Sequence, residues 1–157
     1  MPYTLQPLLR IRTMREDRAS GELSAARREL AAAEDALEAR RRDFAAYEET
    51  KEERRDRIYD AIIGRSVSRE QIDLANEGVA RIDEEGALKA DNVARAEDER
   101  KKREEATVAA RLKLSLAMKN RMKIDEHKSI WLVAEAAEQE HRAEGELEDF
   151  IVRKLEI

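Results

Sequence analysis

The chain has 157 residues, of which 43% are charged and only 4% aromatic, and its formal net charge is −5. Ala, Glu, Lys, Arg and Leu dominate it, which is typical of long helices and coiled coils rather than mixed folds. The absence of cysteine excludes disulfides and thiolate metal sites. The negative charge disfavours nucleic acid as the main partner. No apolar run approaches the roughly 20 residues of a membrane span, so we expect no stable membrane insertion.

A seven-residue repeat runs through the first predicted helix, about residues 7–63. Large apolar residues recur at one heptad position, with Glu16 and Lys51 as exceptions. Alanines recur three residues later, with Arg12, Arg40 and Arg54 as exceptions. Such a repeat keeps one stripe of a helix facing a partner helix. The first position holds Leu9, Leu23, Leu30, Leu37, Phe44 and Ile58, and the second holds Ala19, Ala26, Ala33, Tyr47 and Ala61. No proline follows Pro7, so nothing forces a break in this helix.

A bend is predicted at about residues 64–68. Gly64 can adopt the left-handed conformation that closes a helix C-terminus. Ser68, with Gln71 three residues later, is a capping-box signature for the start of a new helix. An alternative bend lies near Gly78, and it would make residues 69–77 a short separate helix.

The second predicted helix spans about residues 69–153, and its apolar stripe weakens in the middle. Polar residues or glycine occupy the stripe at Gly86, Lys89, Arg100 and Arg103. We expect a loosened, hydrated section there, because a buried unpaired charge is too costly to persist.

The two stripes can meet if the chain folds back on itself. A bend centred near Ser66 places Ile58 beside Ala75 and Leu9 beside Ile124. The chain is therefore predicted to be all-α, with two long helices forming an antiparallel coiled-coil hairpin in a single domain over residues 1–157. We expect a monomer, and an extended dimer is the alternative.

The second helix is longer than the first, so residues beyond about 130 are predicted to extend past it. They include apolar residues with no intramolecular partner, which favours docking of another protein. Trp131 is accordingly interpreted as a binding residue, with packing as the alternative. Phe44 and Tyr47 are interpreted first as packing residues, with a partner-contact patch as the alternative.

Few residues of the chain could serve as catalytic groups or metal ligands. His127 and His141 are the only histidines, and Glu138 with His141 supplies only half the ligand set of a di-iron helical bundle. Neither a phosphate-binding loop nor a zinc-protease motif occurs. We therefore expect no enzymatic activity, no cofactor and no metal. The basic runs at residues 27–28 and 40–42 are interpreted as solvated surface, with steering of an acidic partner as the alternative.

The segment from Leu8 to Ala19, LLRIRTMREDRA, resembles the N-terminus of the type III secretion stalk proteins, the YscO/FliJ-like family. The Ala/Glu/Arg-rich first helix with Phe44 and Tyr47 is similar to that family as well. So is the acidic segment 144–150, which contains a phenylalanine. The length and the two-helix plan extend the resemblance to the whole chain.

This resemblance implies a cytoplasmic stalk protein, peripheral to the export apparatus at the inner membrane. It would couple a hexameric secretion ATPase to the export gate and bind export chaperones. The terminal arms would contact the ATPase, and the aromatic patch would contact the gate. The implied partner-binding residues are Leu8, Leu9, Ile11, Phe44, Tyr47, Ile130, Trp131, Leu147 and Phe150. A generic coiled-coil scaffold or helical chaperone is the alternative function.

Overall fold

The computed structural model describes residues 1–155 and contains two long helices joined by one connection. Helix α1 spans Gln6–Asp60 and helix α2 spans Arg69–Leu155. No strand occurs in this described part of the chain. The prediction of an all-α antiparallel hairpin is confirmed. Residues 156 and 157, which the single-domain prediction included, lie outside the described residues.

Helix α1 ends three residues before the predicted position, so the connection is longer than expected. The backbone NH groups of Ile62 and Ile63 both donate to the carbonyl of Tyr59, which tightens the chain into a turn after Asp60. Gly64 follows with a φ of 73°. This left-handed conformation carries no steric cost for glycine, and it stops the helix from continuing.

Helix α2 begins at the predicted capping box. The backbone NH of Ser68 donates to Gln71 Oε1 at 2.8 Å, and the backbone NH of Gln71 donates to Ser68 Oγ at 3.3 Å. The alternative bend near Gly78 is wrong, because α2 continues through this residue. A Cβ at Gly78 would lie 3.1 Å from Ile58 Cδ1, so the glycine allows a close helix approach there.

The chain divides into two compact units, each containing a stretch of both helices. We call residues 25–108, which include the connection, the turn unit. The arm unit comprises Met1–Ser24 and Ala109–Ile157. In both units, residues at the predicted heptad positions of α1 are buried: Ala33, Leu37 and Tyr47 in the turn unit, and Ala19 and Leu23 in the arm unit.

Tyr47 has the largest buried side chain of the turn unit, with 6% of its surface exposed. Its hydroxyl donates to the carbonyl oxygen of Ile82 at 2.7 Å. The ring occupies the space left by Gly86, where an added Cβ would lie 2.6 Å from Tyr47 Cε1. The prediction of a loosened section is therefore wrong at Gly86. This glycine admits a large side chain from the other helix.

Two basic residues in the middle of the α2 stripe, Lys89 and Arg103, reach acidic residues on α1, whereas Arg100 pairs with Glu104 of its own helix. Lys89 Nζ lies 2.8 Å from Asp43 Oδ1. Arg103 Nη1 lies 2.6 Å from Glu29 Oε2 and also pairs with Glu99 on its own helix. The flexible aliphatic parts of the Lys89 and Arg103 side chains carry these charges to the edge of the interface between the two helices, which we call the seam. Neither charge is therefore left buried and unpaired.

The arm unit shows the same antiparallel arrangement. Lys113 Nζ lies 2.6 Å from Glu22 Oε2, and Lys128 Nζ donates to Gln6 Oε1 at 3.0 Å. Arg121 pairs with Glu16 of α1 as well. These contacts agree with the predicted register.

We predict that Gly86→Ala lowers the free energy of unfolding by about 1–3 kcal/mol, because the added methyl group overlaps the Tyr47 ring. The matched control is Gly21→Ala in α1, where no atom lies within 4 Å of the added Cβ. This variant should gain up to about 1 kcal/mol from the better helix propensity of alanine. Urea unfolding followed by circular dichroism measures both. Equal stabilisation by the two substitutions would contradict the Tyr47–Gly86 fit.

Candidate partner-binding surfaces

The N-terminal segment before α1 covers part of Trp131. Tyr3 is buried, and its ring centroid lies 5.3 Å from that of Trp131. The Tyr3 hydroxyl forms a 2.8 Å hydrogen bond with His127 Nδ1. Trp131 was predicted to lack an intramolecular partner, and this is wrong, because the residues around Pro2 continue along α2 beyond the start of α1. Trp131 is consequently half-buried.

Tyr3 is the residue that the sequence interpretation missed. It precedes the periodic part of α1, so no heptad position identified it. One signal in the sequence could have identified it. When the predicted antiparallel pairing of the helices is extended beyond Pro7, Tyr3 lies nearly opposite Trp131.

The unsupported part of α2 begins after Glu135. The amino group of Met1 lies 2.8 Å from Glu135 Oε1, and this hydrogen bond lowers the pKa of the Glu135 carboxyl. Every residue from Ala136 to Leu155 is exposed. We call residues 136–155 the acidic arm. The unsupported segment is thus about five residues shorter than predicted.

The acidic arm combines carboxylates with large apolar side chains. Leu147 and Phe150 are 61% and 64% exposed, and Ile151 and Val152 are also exposed. Between residues 135 and 149 the chain has seven acidic residues and a single arginine. An exposed helix with this composition is suited to bind another protein through its apolar residues.

The preceding part of α2 has the opposite charge. Residues 109–124, which we call the basic segment, contain five Lys or Arg residues and no acidic residue. Leu112, Leu116 and Met122 are exposed on it. Beside it, Arg12 and Lys113 help to line a shallow groove of about 280 Å³ between the two helices.

The other predicted arm residues differ in accessibility. Leu8 and Leu9 are half-buried, whereas Ile11 is 47% exposed. Ile130 is 65% exposed, although Trp131 beside it is not. Among the predicted partner-binding residues of the arm unit that precede the acidic arm in sequence, Ile11 and Ile130 are therefore the exposed ones that another protein can contact.

Phe44 and Tyr47 form a stacked pair in the turn unit, with ring centroids 6.2 Å apart. Tyr47 is buried in the helix packing, whereas Phe44 is only half-buried. The part of this aromatic pair that a partner can contact is therefore the outer surface of Phe44.

Glu138 and His141, the candidate half-site for a metal, contact different residues. Glu138 pairs with Arg142, and His141 Nδ1 lies 3.7 Å from Glu144 Oε2. Between residues 1 and 155 no group of three or more His, Asp or Glu side chains could hold a metal ion. Over the same range, neither helix contains a stretch long and apolar enough to cross a membrane.

Comparison with known proteins gives a family and a fold. Residues 5–153 match the family model described as type III secretion protein YscO. A solved structure from Chlamydia trachomatis, described as that of a proposed YscO homologue, matches with a TM-score of 0.74 and 20% identity. The match covers 99% of this chain and 94% of that one. At this identity the likeness shows the fold alone. No curated protein matches the chain by sequence.

Trp131 is the single tryptophan of the chain, so its fluorescence reports on its contact with Tyr3. We predict that Tyr3→Ala shifts the emission to longer wavelength and increases quenching by acrylamide, because the indole loses its cover. Tyr59→Ala, at an exposed tyrosine of the turn unit, is the control and should leave the spectrum unchanged. An unchanged spectrum in Tyr3→Ala would show that the N-terminal segment does not cover Trp131.

Proposed function

The chain belongs to the YscO family of type III secretion proteins, and on that basis we propose that it is the stalk and coupling protein of a type III secretion ATPase. In this role it links the ATPase ring to the export gate and to export chaperones. The family match carries the proposal, because it extends over both helices and their connection.

We assign the ATPase contact to the arm unit. Its acidic arm is a single helix with no residue of α1 beside it, and Leu147 and Phe150 are exposed on it. A helix of this kind can lay its apolar residues into a groove of another protein. Leu8, Leu9 and Ile11 of α1 would complete the contact on the other terminal segment.

Ile130 and Trp131 lie on α2 beside the N-terminal segment of the chain. Trp131 is held by Tyr3, whereas Ile130 is open to a partner. We propose that Ile130 contributes contact area and that Trp131 keeps the N-terminal segment in place beside it. The ATPase would then meet the N-terminal segment and this part of α2 as one preassembled surface.

We assign the export-gate contact to the aromatic pair of the turn unit. Phe44 supplies the accessible surface, and Tyr47 positions it from the buried side through the stacked rings and the hydrogen bond to Ile82. An aromatic ring with a fixed position binds at a lower entropic cost than a mobile one.

Coupling of this kind requires no chemistry from the stalk itself. A bound stalk shifts the conformational equilibrium of the ATPase ring only if it binds the alternative conformations of the ring subunits with different affinities. The proposed partners place the protein in the cytoplasm, at the periphery of the export apparatus at the inner membrane.

The test uses the purified cognate secretion ATPase, with its ATP hydrolysis and its hexamer content measured with and without this protein. We expect binding and a change in both quantities. Phe150→Ser should weaken binding by roughly tenfold or more, as removal of an apolar anchor does. Leu74→Ser is the matched control, since Leu74 is 65% exposed on α2 within the turn unit, and it should leave binding unchanged.

Absence of binding, together with unchanged hydrolysis and unchanged hexamer content, would overturn the ATPase assignment. Binding to many unrelated proteins with no dependence on the ATPase would replace it with the scaffold or chaperone function.

A further inference from the structure

Helix α2 of the arm unit carries a second apolar stripe on the side away from α1. Its large members are Leu112, Met122, Ile130, Val133, Leu147 and Ile151. Each has more than half of its surface exposed. Leu112, Val133 and Leu147 are separated by multiples of seven residues, and the other three follow the same heptad position by three or four residues, which places all six along one face of the helix. Nothing in the described chain covers this stripe.

The charges along the stripe reverse about halfway. The basic segment, residues 109–124, has five basic residues and no acidic one, whereas residues 135–149 have seven acidic residues and one arginine. Lys119 and Glu140 lie on the stripe itself. Neither forms an ion pair within residues 1–155, so both are available to a partner.

The stripe can pair with the same stripe of a second copy when the two α2 helices run in opposite directions. If two α2 helices run antiparallel and cross near Ile130, Leu112 of one copy lies opposite Leu147 of the other. In the same alignment Lys119 lies opposite Glu140. The basic segment of each copy then runs beside the acidic residues of the other. Two-fold symmetry produces every such contact twice.

We propose that two copies of this chain associate through the outer face of α2, as an antiparallel helix pair centred near Ile130. Each copy keeps its own hairpin, on which the prediction of a monomer was based. Apolar residues meet along the stripe, and opposite charges meet on both sides of the centre. The proposal does not depend on the ATPase assignment.

A second copy fits this face better than a membrane or a nucleic acid. Either of those could neutralise the basic segment, but both would repel the carboxylates of the arm. An occupant must be acidic where this helix is basic and basic where it is acidic, with apolar residues at matching intervals. The chain's own α2 supplies this pattern, with Leu112 opposite Leu147 and Lys119 opposite Glu140. The association also covers Leu147, so it competes with partners that bind the acidic arm.

Sedimentation equilibrium of the full chain tests the proposal. The wild type should reach twice the 18.1 kDa mass of one chain as its concentration rises. Lys119→Glu and Glu140→Lys should each raise the dissociation constant by roughly tenfold, since both symmetric contacts then join like charges. Lys102→Glu makes the same charge change at an exposed residue of the turn unit, and it should have no effect.

A mixture of the two single variants is the decisive sample. In a mixed pair, the introduced carboxylate of one variant meets the introduced amine of the other, and the second contact is the unchanged Lys119–Glu140 pair. The mixture should therefore associate with nearly wild-type affinity, although each variant alone does not. The Lys119→Glu/Glu140→Lys double variant should also recover self-association.

Cysteine substitution tests the centre of the contact, because the chain has no native cysteine. Ile130→Cys should form a disulfide-linked dimer on mild oxidation. Leu116→Cys, at a similarly exposed position away from the centre, should not.

A wild-type mass of one chain at the highest soluble concentration would overturn the proposal. So would a mixture that associates no better than either variant alone. Binding of a separate acidic protein to the basic segment of a chain that stays monomeric would assign the face to that protein instead.

Discussion

The close approach of Tyr47 to Gly86 sets the register of the turn unit. The seam between two helices is narrow, and alanine supplies many of the buried residues in the seam of this protein. Each large side chain in it therefore needs a matching gap on the opposite helix. The Tyr47 ring occupies such a gap at Gly86, and its hydroxyl must reach an acceptor once it is buried. With this ring in place, Lys89 lies beside Asp43 and forms its ion pair at the edge of the seam.

Two helices that share a single seam leave most of their surface uncovered. This explains why Leu112, Ile130 and Leu147 are exposed in a chain that still folds as a hairpin. Within residues 1–155 the groove between the helices of the arm unit is open to solvent, and long helix faces are accessible beside it. Membership of a type III secretion family accords with a protein that acts through contacts along those faces.

The sequence predicted the features that depend on local or periodic patterns. The heptad repeat identified Leu23 and Leu37 as buried, and the Ser68–Gln71 pair identified the start of α2. Features that depend on distant pairs were missed. Gly86 was interpreted only as a weak position in the α2 stripe, because its partner Tyr47 lies on the other helix. Tyr3 precedes the repeat, so its contact with Trp131 becomes visible only when the register is known.

All of these contacts require one chain that folds back on itself in this register. Ala32 and Glu99 line the same groove of the turn unit from opposite helices. Spin labels on the Ala32→Cys/Glu99→Cys variant should show a short dipolar distance, set by helix axes about 10 Å apart. This distance should persist when the labelled protein is unfolded and refolded in a large excess of unlabelled chains. Loss of the short distance on such dilution would show that the helices pair between chains, and it would contradict the hairpin.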